Sequence, residues 1–314
     1  LREDSLGEIL ARFGDYRGIA RGELIEALTP DGCPVTFGTT VTALDVAPAA
    51  TTATLDTAGT SIELGFDVVI VADGIHSGTR DMLLAGRQAD VCDTGWGGWV
   101  AWAAADADPD LGSELWGAGH FLGIYPVQGA LGVFLGGDRA DTAAGPDAFV
   151  ARVRESLGTT DARFAAALQA VLDDPDRYYW SLTDCRAPTW TSGRGVLLGD
   201  AAAGFLPTAG IGAGMAMESA WVLCRMLRHA DGDTVPALLR AYERAQRPRV
   251  EAAQSNSRWL ARMMFHRSTL LAVLREVVLR FTTVEVALGP IRRLLADRPD
   301  PDAAAAAFTD RLTR

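Results

Sequence analysis

Two short motifs that pair glycine with aspartate carry the clearest chemical signal in the chain. In residues 67–80 (DVVIVADGIHSGTR), an apolar strand runs into Asp73–Gly74 and then into a predicted helix. Open α/β sheets bind ligands at the carboxyl ends of their strands, and glycine lets a ligand approach the backbone closely. Asp73 and Gly74 are therefore candidate ligand-binding residues. The alternative is a simple strand–turn–helix joint that Asp73 caps.

The second motif lies in residues 195–220 (GVLLGDAAAGFLPTAGIGAGMAMESA), where a buried strand is predicted to end at Gly199–Asp200. Pro207 then leads into Gly210–Ile211–Gly212 and a helix. Amide groups at a helix N-terminus stabilise negative charge, and a reduced flavin carries such charge at its N1–O2 edge. Asp200 could accept hydrogen bonds from a ribityl chain. The alternative is that these glycines only allow the helix to pack tightly on its strand.

A third feature is the group of tryptophans at 96, 99 and 102 in a β-rich stretch. On a strand, Trp96 and Trp102 share one face and Trp99 points to the other. That shared face could line an apolar pocket for an aromatic substrate, although such tryptophans also occur as ordinary core residues.

The elements that must position these residues alternate between buried strands, hairpins and helices. A short helix is predicted over residues 20–28, followed by β-rich runs and a VVIVA strand of the kind buried on both faces. A hairpin or meander with a turn near Gln128–Gly129 is predicted over residues 114–137. Helices are predicted over 146–157 and 162–172, a strand over 178–182 and a long helix from Gly212 to about Arg228. We therefore expect an α/β fold with an inserted antiparallel domain.

The order and spacing of the two motifs, with a β-rich insertion between them, resemble the flavin-dependent aromatic hydroxylases of the p-hydroxybenzoate hydroxylase family. IARGELIEAL is similar to that family's R-x-x-L-x-x-x-L helix, which implies that Arg21 approaches the FAD phosphates. GTTVTALDV is similar to its adenine-contacting strand, which implies a role for Val41. ELWGAGHFLGIYP looks like its substrate-domain strands and makes Tyr125 a candidate substrate contact beside Trp96 and Trp102.

The resemblance implies a Rossmann-like FAD-binding domain that is incomplete at its N-terminus, an inserted β-sheet substrate domain and a helical C-terminal part. The expected segments are 1–90 and 186–230 for FAD binding, 91–185 for the substrate domain and 231–314 for the helical region. The sequence has no G-x-G-x-x-G motif, so we expect about 80–110 further residues upstream to supply it.

The same resemblance implies that NADPH or NADH reduces FAD and that O2 then forms a flavin C4a-hydroperoxide. This species would hydroxylate or epoxidise an aromatic or polyketide-like small molecule. No residue is assigned as a catalytic acid or base, and the nicotinamide preference is left open. The alternatives are a flavin-dependent reductase or dehydrogenase on the same fold, or a degenerate flavoprotein-like binding module without catalysis.

Composition and residue spacing limit the other classes of protein that the chain could belong to. The net charge of −11 gives no electrostatic basis for binding nucleic acid, and no apolar run reaches membrane-spanning length. Four scattered cysteines and four scattered histidines lack metal-site spacing, so no metal is predicted. Free thiols of this kind are typical of a reducing cytoplasm, and a homodimer is left open.

Overall fold

The computed structural model describes residues 11–13, 18–47, 50–108, 111–281, 286 and 288–304, which divide into two compact units. The antiparallel unit contains the described residues of 1–33, 93–182 and 260–292. The α/β unit contains those of 34–92, 183–259 and 293–314. The sequence-based division into FAD-binding, substrate and helical segments assigns a function to each segment, and it stays a prediction.

The elements follow the chain in this order. The helices are α1 (Arg21–Leu28), α2 (Gly78–Leu83), α3 (Arg139–Thr142), α4 (Pro146–Leu157), α5 (Ala162–Asp173), α6 (Asp200–Ala203), α7 (Gly212–Leu227), α8 (Val235–Met264), α9 (Thr269–Phe281) and α10 (Gly289–Ala296). The strands are β1 (Thr39–Val46), β2 (Thr51–Thr57), β3 (Thr60–Phe66), β4 (Val69–Val71), β5 (Asp90–Ala104), β6 (Ser113–Trp116), β7 (His120–Val127), β8 (Ala130–Asp138), β9 (Tyr178–Arg186), β10 (Thr191–Ser192) and β11 (Gly195–Leu197).

The antiparallel unit is built on a five-stranded sheet with the order β6-β7-β8-β5-β9. The predicted turn at Gln128–Gly129 is confirmed, since β7 ends at Val127, β8 begins at Ala130 and Gly129 has φ +76°. The amphipathic helices α4 and α5 bury Phe149, Val150 and Leu168 against one face of this sheet. That face is therefore closed by a continuous apolar core.

The α/β unit contains two small sheets and a separate core. Strands β1, β2 and β3 form an antiparallel meander, and β11 pairs in parallel with β4 and antiparallel with β10. The core gathers Trp190, Val196, Leu197, Leu223 and Tyr242 from the strand ends and from helices α7 and α8. Helix α7 is thereby fixed against the strand that precedes Asp200.

The prediction that the VVIVA strand is buried on both faces is wrong for this structure. Strand β4 is only three residues long, and Ile70 is 43% exposed although Val71 is buried. Among the described strands β4 has β11 as its neighbour on one edge only. A parallel strand with one free edge cannot be covered as a central strand is.

Helix α8 is tied to the loop before β10 through the carboxylate of Glu243. This group accepts hydrogen bonds from Thr189 Oγ1 at 3.1 Å, Thr191 Oγ1 at 2.8 Å and Arg247 Nη1 at 3.0 Å. Burial alone would raise the pKa of Glu243, but these bonds, with one from the Trp190 backbone, hold that pKa below its ordinary value. The folded state therefore favours the charged form.

We expect Glu243→Gln to lower the free energy of unfolding at neutral pH and to lose this effect in acid. A carboxyl whose folded-state pKa is depressed contributes stability above its unfolded-state pKa, and this contribution disappears as the pH falls through the folded-state value. Urea unfolding of wild type and variant from pH 7 to pH 3 measures the difference between their free energies of unfolding. The exposed Glu26→Gln serves as control. A difference that stays constant with pH would contradict the lowered pKa of Glu243.

No helix among the described residues combines the length and hydropathy needed to cross a membrane.

Candidate flavin site and aromatic face

The loop between α6 and α7 turns sharply at a glycine. A single 3₁₀ turn begins at Pro207, and the Gly210 amide donates to the Pro207 carbonyl at 2.9 Å. Gly210 has φ +63° and ψ +16°, a left-handed conformation that favours glycine. The chain then enters α7 with Ile211 as its N-cap. The predicted start of the helix near Gly212 is confirmed, and the assignment of Pro207, Gly210, Ile211 and Gly212 as cofactor contacts stays a prediction.

The N-terminus of α7 has no side-chain cap. Ile211 has no polar side-chain atom, and the first turn of this 16-residue helix carries no acidic residue. The first amides of a helix have no partner within it, so they remain available to an acceptor outside the chain. An ideal Cβ on Gly214 would meet nothing within 4 Å, so the Gly214 side of the first turn faces open space.

Gly212 also has a packing role. An ideal Cβ at this position would lie 3.1 Å from Phe205 Cβ, which is tighter than an ordinary contact. Absence of a side chain therefore lets the start of α7 approach the loop that precedes it. This contact supports the packing alternative stated for the glycines, and it is compatible with a ligand at the amides.

Asp200 lies at the tip of the β11 connection. It follows Gly199, whose φ of +58° and ψ of −137° favour glycine. Among the described residues no hydrogen bond to its carboxylate is formed. Desolvation by neighbouring protein groups raises the pKa of Asp200, although part of the residue remains in contact with solvent. Asp200, Phe205, Gly212 and Met215 line one small cleft.

The first motif has the predicted strand–turn–helix form. Gly74 has φ +91°, and the Asp73 carboxylate is exposed and accepts the Thr79 amide at 3.4 Å. Ser77, not Asp73, is the N-cap of α2, because its hydroxyl accepts the Arg80 amide at 2.8 Å. Asp73 is thus only weakly engaged in the joint and stays a candidate ligand residue.

The two motifs are joined by Arg80, which the sequence analysis did not single out. The side chain is buried, and its Nη1 donates to the Ile75 carbonyl at 3.1 Å and the Ala201 carbonyl at 3.3 Å. The same nitrogen lies 3.4 Å from Cys185 Sγ. A single guanidinium therefore fixes the loop after β4 to α6.

A second tether holds the segment before the glycine loop. The fully buried Gln254 of α8 donates from Nε2 to the carbonyls of Cys185 at 2.7 Å and Gly204 at 2.6 Å. Thr208 Oγ1 donates to the Ser257 carbonyl at 2.7 Å. These bonds anchor the chain to α8 at Gly204 and Thr208, which flank Pro207. Helix α8 therefore fixes the position of the loop.

The other predicted cofactor contacts lie apart from this loop in sequence. Val41 sits in β1 beside a β-bulge, since the register with β2 shifts between Val41 and Ala43. Such a bulge redirects neighbouring side chains. Arg21 is exposed at the first position of α1, in the antiparallel unit. Both assignments stay predictions.

The predicted substrate residues share one face of the five-stranded sheet. Trp102 and Tyr125 both pair with Gly132, so their side chains rise on the same face on either side of it. Trp99 lies on the opposite face, in the core with Phe149. Trp102 is 45% exposed and Tyr125 38% exposed.

The same face carries further rings, and we call the set the aromatic platform: Trp102, Trp116, Phe121, Tyr125 and Phe134. Glycines allow two of these rings to lie along the sheet. An ideal Cβ on Gly123 would fall 2.6 Å from the Tyr125 ring, and one on Gly136 would fall 2.7 Å from Phe134. Rings that lie over glycine backbone expose their flat faces, which is the arrangement that stacks on another aromatic ring.

Trp96 differs from its two predicted partners. It is only 4% exposed and stacks on Phe265, with ring centroids 4.7 Å apart and an interplanar angle of 19°. Its shared face with Trp102 agrees with the alternation, but Phe265 covers it. Its assignment as a substrate contact stays a prediction. The exposed part of the platform lies at Trp102 and Tyr125.

The comparisons with known proteins agree on one family. The family model described as FAD binding domain matches residues 21–257. Among curated proteins, the chain is 35% identical over 211 residues to 3-amino-4-hydroxybenzoate 2-monooxygenase PtmB3 from Streptomyces platensis, with 64% of this chain and 51% of that protein covered. It is 42% identical over 81 residues to a salicylate hydroxylase from Pseudomonas putida, with 25% and 19% covered. The chain spans about half the length of the first curated relatives it matches.

Solved structures show the same fold. The Klebsiella pneumoniae protein HpxO, solved in complex with FAD and uric acid, superposes with a TM-score of 0.75 at 23% identity, covering 88% of this chain and 71% of that one. A salicylate hydroxylase substrate complex gives a TM-score of 0.70 at 22% identity, with 92% and 75% covered. The α/β fold class is confirmed. Because the family model matches well over half of its length, the chain belongs to the FAD-binding domain family, as the resemblance to the flavin-dependent aromatic hydroxylases predicted.

Proposed function

We propose that the full-length protein is an FAD-dependent monooxygenase that uses NADPH or NADH and O2 to hydroxylate or epoxidise an aromatic or polyketide-like small molecule. The observation that carries this proposal is the uncapped N-terminus of α7 beside Asp200, whose carboxylate accepts no hydrogen bond from the described part of the chain. Relatives that share the family are named as monooxygenases, which supports the reaction type.

The residues present fit FAD. Bound FAD would supply the redox chemistry of the reaction, in which two electrons from NADPH or NADH and one O2 give an oxygenated product and one water. Of the amides that the sequence predicts to face the flavin, that of Gly210 donates to the Pro207 carbonyl. Those of Ile211 and Gly212 would stabilise the negative charge that develops at the N1–O2 edge, without rearranging. Asp200 would accept hydrogen bonds from ribityl hydroxyls. The resemblance assigns Arg21 to the phosphates, Val41 to the adenine, and Asp73 and Gly74 to the cofactor.

The aromatic platform would hold the substrate ring. Exposed rings of Trp102 and Tyr125 offer apolar area and stacking, and an offset-stacked aromatic pair contributes about 0.5–1.5 kcal/mol beyond its buried area. A flat, electron-rich ring fits this surface better than a branched aliphatic molecule.

The test begins with the absorbance spectrum of the purified full-length protein, which should show bound FAD. NADPH and NADH oxidation is then measured with a panel of phenols and polyketides under ¹⁸O2. The proposal predicts substrate-stimulated oxidation and one ¹⁸O atom in the product. NAD(P)H oxidation that releases hydrogen peroxide and gives no oxygenated product would indicate a reductase or oxidase instead. Absence of bound FAD after reconstitution would support a non-catalytic module.

A further inference from the structure

Glu114 on β6 places a carboxylate at one edge of the aromatic platform. Glu114 pairs with Gly123 across the strands, which places its side chain on the platform face. Its Oε1 accepts the Tyr125 hydroxyl at 2.9 Å, and its Oε2 accepts Trp116 Nε1 at 2.8 Å. Two platform rings are thus oriented by a single acceptor group.

These two bonds leave Glu114 with capacity for a ligand. A carboxylate has about four lone-pair positions, and it can only accept. Glu114 is exposed at the surface of the unit, so a further donor can reach it. Because both neighbouring polar groups point their hydrogens at Glu114, this edge of the platform presents acceptors and negative charge.

Arg275, a cation beside Trp116, does not reverse this charge pattern. Arg275 lies with its guanidinium carbon 5.6 Å from the Trp116 ring centroid, but its side chain is buried. Its Nη1 donates to the carbonyls of Met263 at 3.3 Å and Met264 at 3.1 Å, and its Nη2 donates to those of Trp116 and Gly117. The terminal nitrogens of Arg275 are therefore committed to backbone, and a substrate carboxylate would meet Glu114 instead.

We propose that Glu114 is a specificity-determining residue that accepts a hydrogen bond from a hydroxyl or amino group on the aromatic substrate. The inference rests on the proposed function, and it narrows the substrate class to rings that bear such a donor at the end near Tyr125 and Trp116. An ether or a carboxylate at that end would leave Glu114 without a donor or oppose its charge.

The test compares two ligands that differ only in the donor, 2-naphthol and 2-methoxynaphthalene. Binding to the full-length, FAD-loaded protein is measured by calorimetry, without NAD(P)H, so turnover plays no part. A hydrogen bond to a charged group is expected to favour naphthol by about tenfold or more. Glu114→Gln, whose amide can also donate to the ether oxygen, should reduce this preference to about twofold or less.

Two further variants make the result specific. Tyr125→Phe keeps Glu114 and should retain the preference for naphthol, with weaker binding of both ligands. Glu155→Gln, an exposed substitution on α4, should behave as wild type. Circular dichroism and thermal unfolding check that each variant is folded.

Several outcomes would overturn the inference. It fails if wild type binds neither naphthalene, if it binds both equally, or if Glu114→Gln keeps the wild-type ratio. Loss of the preference in Tyr125→Phe alone would make Tyr125 the recognition residue. Retention of the ligand preference in a protein that oxidises no NAD(P)H would instead refute the proposed function and leave the Glu114 assignment standing.

Discussion

Asp200→Ala in the full-length protein is expected to weaken FAD binding by about tenfold or more while leaving the fold intact. The carboxylate would lose its hydrogen bonds to the ribityl chain, and bonds to a charged group contribute about 1.5–3 kcal/mol each. The fold itself should not suffer. Desolvation raises the pKa of Asp200, so its charge opposes folding above that pKa, and removing it at pH 7 relieves this cost.

Gel filtration with absorbance at the flavin band, together with fluorescence titration of FAD, measures the loss. Asp147→Ala is the matched control, because Asp147 is an exposed acidic residue in the first turn of α4. Stoichiometric FAD in the Asp200→Ala protein would refute the assignment. Loss of helical circular dichroism together with the FAD would show that Asp200 acts on the structure of the loop.

Arg258→Met is expected to reduce the free energy of unfolding by about 3–5 kcal/mol, because it leaves a buried carboxylate without its partner. Asp184 is fully buried, and Arg258 binds it through two nearly parallel bonds, from Nε at 2.8 Å and from Nη2 at 2.7 Å. The bond of Arg258 to the exposed Asp90 at 3.3 Å should contribute little.

Urea unfolding followed by circular dichroism gives the free energy, with the midpoint compared at constant slope. Arg262→Met, four residues further along α8 and exposed, is the control and should change stability by less than about 0.5 kcal/mol. A loss below about 1 kcal/mol for Arg258→Met would mean that Asp184 finds another partner or reaches solvent.

The local sequence pattern was sufficient to predict the helices and strands that are determined by residues close together in the chain. Helices α4 and α5 begin at the predicted residues, Pro146 and Ala162, because their apolar residues recur at helical spacing. The predicted helix from Gly212 ends at Leu227, and the helix predicted from residue 20 begins at Arg21. The strand predicted over 178–182 continues to Arg186, where it meets Ala203 in an isolated bridge.

Contacts between distant residues were not accessible from the sequence. Arg80 and Ala201 are 121 positions apart, and nothing in DGIHSGTR marks its last residue as buried. Gln254 lies in the predicted helical region 231–314, and nothing in the sequence indicates its bonds to Cys185 and Gly204. Alternation assigned Trp96 and Trp102 to one face, but it could not show that Phe265 covers only the first. The same alternation in GHFLGIYP could have revealed Phe121 as a platform residue.

The hydrogen bonds from Arg80 that join the two motifs affect which of their residues can change in sequence. Two of its three acceptors are backbone carbonyls, at residues 75 and 201, and a carbonyl is present whatever side chain follows it. The hydrogen bonds of Arg80 therefore place no requirement on the side chains at these two positions, although the fully buried Ala201 is still limited by core packing. Arg80 itself has no such freedom, because no other side chain reaches both carbonyls with a planar, permanently charged donor. For this link alone, the constraint on sequence falls on the arginine and not on the side chains of the residues whose carbonyls it binds.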